Sequence, residues 1–93
     1  MSSVRETEIQ KKIMDYLEGE GAVVYKTISL SKSGFPDVMG VLRGKHIHIE
    51  VKKPGEEPTV LQRYKMKLLS DEGSIGGWAI SVEEAKDLVS SLL

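Results

Sequence analysis

Polar and apolar positions alternate with two different periods along the chain. Glu6, Gln10, Ile13 and Leu17 stand at i, i+4, i+7 and i+11, one face of a helix over about 4–18. Ile9 and Met14 flank that face, while Glu8, Lys12 and Asp15 point away from it. Gly19 and Gly21 are candidates to end the helix. AVVYKTI (22–28) is rich in β-branched and aromatic residues and predicts a strand; SLSKSG (29–34) predicts a loop. Residues 37–43 predict a second strand, Gly44 a turn, and 46–52 a third strand. In that third strand His46, His48, Glu50 and Lys52 share one face, and Ile47, Ile49 and Val51 the other. KPGEEP (53–58) is a loop. Thr59 and Gln62 have capping-box spacing and open a helix carrying Val60, Leu61, Tyr64, Leu68 and Leu69, which stops near Gly73. GSIGG then reads as a loop and WAIS (78–81) as a short fourth strand. Ser81 and Glu84 form a second capping-box pattern, opening a last helix with Val82, Ala85, Leu88, Val89 and Leu92 on an apolar stripe. The order α-β-β-β-α-β-α predicts an α/β fold. A helix between strands three and four permits a right-handed parallel crossover.

Composition narrows this picture little. At 93 residues the chain is expected to form one domain, 1–93. A hydrophobic content of 40% and a charged content of 29% are ordinary for a globular chain. With no cysteine, disulfides and thiolate metal sites are excluded. The polar start MSSVRETEIQKK lacks the apolar core of a signal peptide, and no apolar run approaches the ~18 residues of a membrane span. A net charge of −1 is low for a nucleic-acid binder, but charge distribution matters more than its sum. Arg43, Lys45, Lys52, Lys53, Arg63, Lys65 and Lys67 fall within one stretch, and many acids lie outside it.

Candidate chemistry centres on Asp37, Glu50 and Lys52. A hairpin places the start of strand two beside the end of strand three, so two carboxylates converge with an ammonium next to them. Carboxylates at close range repel, and a divalent cation between them lowers the free energy. Oxygen ligands favour Mg²⁺ or Mn²⁺, and the Val51 carbonyl offers a further oxygen. Lys52 is suited to orient an attacking water or to steady a phosphorane-like transition state. This is a phosphodiester-hydrolysis site in outline.

Pro36-Asp37, followed thirteen positions later by Glu50-Val51-Lys52, resembles the PD-(D/E)XK nuclease superfamily. More closely, the chain resembles a stand-alone VRR-NUC domain. The matching elements are Glu6-x-x-Ile9-Gln10, Gly34-Phe35-Pro36-Asp37, Ile49-Glu50-Val51-Lys52-Lys53 and Thr59-x-x-Gln62, with GWAISVEEAKDLV fitting the closing strand and helix. The resemblance implies a restriction-endonuclease-like core: a central mixed four-stranded sheet flanked by helices. It also implies Mg²⁺- or Mn²⁺-dependent cleavage of branched or duplex DNA. Small stand-alone members resemble Holliday-junction resolvases that act as homodimers, in the cytoplasm of bacterial cells or phage-infected hosts. Carried over by position, Asp37, Glu50 and Val51 hold the metal, Lys52 assists the reaction, Gln62 helps orient Lys52 or the phosphate, and Glu6 completes the acidic cluster. Related resolvases have a Glu where this chain has Gln10, which leaves Glu6 or Glu8 as the displaced acid. Glu6 is preferred because it shares the face of Gln10, Ile13 and Leu17.

Simpler readings stand beside these. Gln62 is explained by its capping box alone, and Glu6 by the helix dipole. His46 and His48 share a face but have no third ligand at metal spacing, and read as exposed strand histidines. Lys32, Lys53, Arg63 and Lys67 are candidate DNA contacts on charge and proximity, or solvated surface. Trp78 reads as core or interface. A catalytically silent DNA-binding module that keeps the fold is the alternative to the nuclease, and a plain interaction domain is the third reading. The apolar stripe reaching Leu92 and Leu93 is the sequence support for a dimer.

Overall fold

The computed structural model describes residues 5–27 and 34–93. In chain order these form α1 (Glu6–Gly19), β1 (Val23–Lys26), β2 (Val38–Leu42), β3 (Lys45–Val51), α2 (Val60–Asp71), β4 (Ile75–Ala79) and α3 (Val82–Leu88), with a 3-10 turn at Ser90–Leu92. The sheet runs β1-β2-β3-β4. The first two pairings are antiparallel and β3 lies parallel to β4, so the sheet is mixed. Loop 29–34 is described only at Gly34, and Lys32, with the DNA contact expected of it, lies outside the described residues.

The helices end as their sequence dictates. Gly21, at φ 96°, occupies the left-handed position after α1. Its N–H donates to Glu18 O, and that of Ala22 to Leu17 O, both at 3.0 Å, the paired bonds of a Schellman motif. Gly19, the other candidate, is the last residue of the helix itself. The same motif closes α2 at Gly73 (φ 99°) and delivers Ser74 to the start of β4. Between β2 and β3, Arg43 and Gly44 both have positive φ, the two-residue turn whose twist suits a hairpin.

Alternation in the strands sorts the side chains into two layers. Val38, Leu42, Ile47, Ile49, Val51 and Ala79 face the core with Ile9, Ile13, Leu17, Ala85 and Val89 from α1 and α3. Helix α2 crosses the opposite face, over β3 and β4. The predicted stripe of the last helix is spent in this core: Ala85 and Val89 are buried, and Val82, Leu88 and Leu92 pack against the same cluster. By contrast Val60, Leu61, Tyr64 and Leu68 of α2 are exposed, and Met66 is its one buried residue.

Two sequence expectations need correction. The fourth strand is IGGWA (75–79), not WAIS; Trp78 lies inside it rather than opening it. Glycines normally weaken a strand, but here they permit close approach. A Cβ on Gly76 would collide with His48 O, and one on Gly77 would lie 2.9 Å from Leu88 Cδ2. The second capping box is also only half formed as such. Ser81 Oγ accepts from Glu84 N–H, but the Glu84 carboxylate accepts from Ile80 N–H, one residue earlier than the N-cap. The box at Thr59 and Gln62 is complete.

Two glycine substitutions test this packing by opposite signs. Gly19 lies in α1, where a Cβ would meet no atom within 4 Å. Gly19→Ala is expected to raise stability in urea by about 0.5–1 kcal/mol. Gly76→Ala forces β3 and β4 apart and is expected to cost about 3 kcal/mol or more. Equal effects at the two positions would contradict the assigned β4 register.

Candidate active site

The antiparallel register of β2 and β3 ends at Val38 opposite Ile49. Asp37, one residue before β2, therefore comes level with the Glu50-Val51 end of β3. The strand ladder stops there, and a side chain replaces it: Val51 N–H donates to Asp37 Oδ2 at 3.1 Å. A residue's N–H and C=O point to the same edge of a strand, so the Val51 carbonyl also faces the Asp37 side. On the face beneath α2, Glu50 is 2% exposed. Its Oε2 lies 3.5 Å from Lys52 Nζ, while its Oε1 is buried without a hydrogen-bond partner.

These groups disturb one another. Burial, then the negative charge of Asp37, pushes the Glu50 carboxyl up to about 7; the Lys52 ammonium works against this without cancelling it. The Glu6 carboxyl is also raised, by burial first and then by Asp37, with Lys52 opposing. Glu6 thus stands at the N-terminus of α1 within electrostatic reach of Asp37 and Lys52, whereas Glu8 is exposed. Glu56 acts on Glu6 in the same sense as Asp37. Nothing in the sequence singles out Glu56, because KPGEEP reads only as a loop. The 53–56 turn, with Glu56 N–H on Lys53 O and Lys53 N–H on Glu56 Oε1, brings that acid back towards the end of β3.

Gln62 is half-buried, and its Oε1 accepts from Thr59 N–H at 2.9 Å. That bond meets the capping requirement, and no hydrogen bond joins Gln62 to Lys52 among the described residues. The basic residues of α2 are engaged at the surface. Arg63 pairs with Glu57 at 2.8 Å and lies 5.9 Å from the Trp78 ring centre. Lys67 pairs with Asp71 at 2.7 Å, and Lys65 lies over Phe35. Exposed pairs of this kind contribute little and exchange readily for another anion. Lys53, half-buried, follows Lys52 out of β3.

The histidines depart from expectation. His48 is fully buried and His46 half-buried, because α2 covers their face of β3. Both ring Nδ1 atoms meet Ser74 Oγ, at 2.7 and 2.6 Å. Burial, then the neighbouring His46, holds His48 down at about 4, so it is neutral near pH 7. Ser74 is not legible as a partner from the sequence, where GSIGG reads as a loop.

The donor set fits a small divalent cation. Two oxygen-bearing side chains converge, one buried carboxylate oxygen lacks any partner, and the burial and Asp37 charge that together raise Glu50 are what a cation would offset. Among the described residues no three His, Cys, Asp or Glu side chains come together as a metal-binding group. An open site with water in the remaining positions is the usual way of holding Mg²⁺.

Known proteins share this fold and, in one case, much of this sequence. No family model matches the chain. It is 38% identical over 63 residues to "Putative nuclease p44" of Acyrthosiphon pisum secondary endosymbiont phage 1, covering 67% of this chain and 68% of that protein. A solved structure described as "VRR_NUC domain" superposes with a TM-score of 0.80 at 24% identity, over 95% of this chain and 97% of its own. A second, "VRR_NUC domain protein", gives 0.76 at 20% identity, over 98% and 89%.

The raised Glu50 carboxyl makes a signed prediction. The folded chain holds this proton more tightly than the unfolded chain, whose carboxyl titrates near 4.5. Between about 4.5 and 7 the native state therefore binds more protons, and stability falls as pH rises through that window. In chelator, urea unfolding is expected to show a decline on the order of 3 kcal/mol across it. Glu50→Gln is expected to remove most of that decline; an unchanged slope would show that Glu50 is not the group that titrates there.

Proposed function

We propose that this chain, which belongs to the family of the phage putative nuclease and has the fold of VRR_NUC domains, is a metal-dependent endonuclease hydrolysing phosphodiester bonds in DNA. The observation that carries this reading is the Glu50 carboxylate, raised by burial and then by Asp37, and left with an unpartnered oxygen beside Lys52. Asp37, Glu50 and the Val51 carbonyl would hold the cation, with Glu6 adding negative charge from α1. Mg²⁺ or Mn²⁺ there supplies Lewis-acid polarisation of the phosphate and acidifies a water. Lys52, 14% exposed in its side chain, keeps its ammonium at the edge of the carboxylate pair, where it donates to a phosphate oxygen or to the attacking water. Asp37 Oδ2 accepts from Val51 N–H, which fixes that oxygen and leaves the other free of that bond for the cation. Gln62 retains its amide N–H groups for a phosphate, its carbonyl being used by the cap. Lys53, Arg63 and Lys67 lie along the route of the DNA backbone, exchanging carboxylate partners for phosphates; Lys32 is proposed on its charge alone.

The substrate is branched DNA of the Holliday-junction kind, cut by a homodimer that presents two sites about a two-fold axis. Support for association comes from an unexpected place. Every exposed large apolar residue among the described residues except Leu93 lies on α2 or on the half of the sheet that α2 leaves open: Val23, Tyr25, Val41, Val60, Leu61, Tyr64 and Leu68. The last helix contributes less, since its stripe is used in the core. The cytoplasm of a bacterial cell or phage-infected host is the proposed place of action, in keeping with the phage origin of the relative. Among the described residues no helix is long and apolar enough to cross a membrane.

Cleavage of junction, flap and linear DNA with and without Mn²⁺ tests the reading. Turnover that chelator abolishes is expected. Asp37→Asn and Glu50→Gln are expected to remove it, and Lys52→Ala to slow it by about 10²-fold or more. Salt-sensitive binding with no turnover under either ion would identify a silent DNA-binding module instead.

Sedimentation tests the assembly separately. A dimer at micromolar concentration is expected, converted to monomer by Tyr64→Glu with Leu68→Glu. A monomeric native chain would remove the basis for paired cutting.

A further inference from the structure

Asp37 is held from the β1 side by Thr27, a residue outside every motif that marks the site. Pro36 has no N–H to offer a strand ladder, and β2 begins only at Val38. The two carbonyls that frame the Asp37 peptide are nevertheless both satisfied by Thr27. Its hydroxyl donates to Pro36 O at 2.6 Å, and its N–H donates to Asp37 O at 2.8 Å. Serine and threonine alone among uncharged aliphatic side chains can make both bonds, since the hydroxyl must reach back to the strand that its own N–H already pairs with. The other side of the same passage is wedged under α2. Gly34, at φ 84°, has no room for a Cβ, which would lie 2.6 Å from Leu61 Cγ, and Lys65 lies 4.8 Å from the Phe35 ring centre. Pro36 is buried between these supports. Residues 34–37 are thus fixed from two elements just where the chain must aim a carboxylate at Glu50.

We propose that Thr27 is a positioning residue for Asp37, its hydroxyl setting the Pro36-Asp37 peptide so that the Asp37 carboxylate meets both Val51 N–H and the cation. The proposal rests on the metal-dependent reading above and deepens it. Removing the hydroxyl frees the Pro36 peptide to rotate and lets the carboxylate swing away from Glu50. The loss is one of cation affinity, not of the chemical groups themselves. Supporting groups of this kind are typically worth 10- to 100-fold in metal affinity.

Calorimetric titration of Mn²⁺ into the DNA-free protein tests this without relying on turnover. Thr27→Val, which keeps shape and backbone N–H but lacks the hydroxyl, is expected to weaken Mn²⁺ binding about tenfold or more. Thr27→Ser, which restores the hydroxyl, is expected to bind within about twofold of the native chain. If Thr27→Val does not fold, Thr27→Ala against Thr27→Ser isolates the same group. Cleavage by the variant lacking the hydroxyl is expected to recover at saturating Mn²⁺, a shift in metal dependence that general loss of stability would not produce. Glu50→Gln serves as the reference. If the native chain binds Mn²⁺ and Glu50→Gln does not, yet the hydroxyl-free variant binds as tightly as native, the Thr27 inference alone is overturned. If the native chain binds no Mn²⁺, the metal-dependent reading fails and the inference falls with it.

Discussion

The buried repulsion between Asp37 and Glu50 is the constraint around which this end of the molecule is organised. A fold seeking stability alone would not bring a second carboxylate near a buried one whose own oxygen is left unpartnered. The β2–β3 hairpin imposes the meeting: its two-residue turn sets the register, the register brings Asp37 to the end of β3, and Val51 N–H holds it there. Lys52 offsets part of the repulsion but sits at 3.5 Å, too far for a tight ion pair. What remains is a site of negative potential with an ammonium at its rim, which is suited to a small divalent cation and a phosphate together.

The rest of the fold serves to hold that arrangement still. Helices α1 and α3 bury the Ile47, Ile49 and Val51 face of β3, so the strand cannot slip by one residue without turning Glu50 into the core. On the opposite face, the Schellman turn at Gly73 brings Ser74 beneath His46 and His48, and Gly76 lets β4 approach β3 closely. The two histidines, one buried and one half-buried, therefore fasten the layer that carries Glu50. Helix α2 closes this face only halfway and leaves an apolar surface beside the site.

Much of this is legible from the residues, for identifiable reasons. Capping chemistry is local, so Thr59 and Gln62 announce α2 and the Gly21 region announces the end of α1. Strict alternation places Ile47, Ile49 and Val51 opposite Glu50 and Lys52. Asp37 meeting Glu50 follows from counting back along a hairpin with a short turn. The failures share a different cause, since each depends on what lies across from a residue rather than beside it. Ile75-Gly76-Gly77 looks like a loop because glycine has poor strand propensity, and only the nearness of His48 O and Leu88 explains the choice. His48 looks exposed because no local signal shows that α2 lies over it. The apolar residues of α2 give no sign that most remain at the surface. Thr27 carries no signal, its role depending on a carbonyl nine residues away.

The proposed metal-dependent cleavage would have Asp37 and Glu50 together hold a divalent ion. Crystals grown or soaked with Mn²⁺ and measured at an energy above the manganese absorption edge test it most directly. An anomalous peak is expected within coordination distance of a carboxylate oxygen of each residue. A well-ordered site with no such peak, or manganese bound elsewhere while these two carboxylates turn apart, would contradict it.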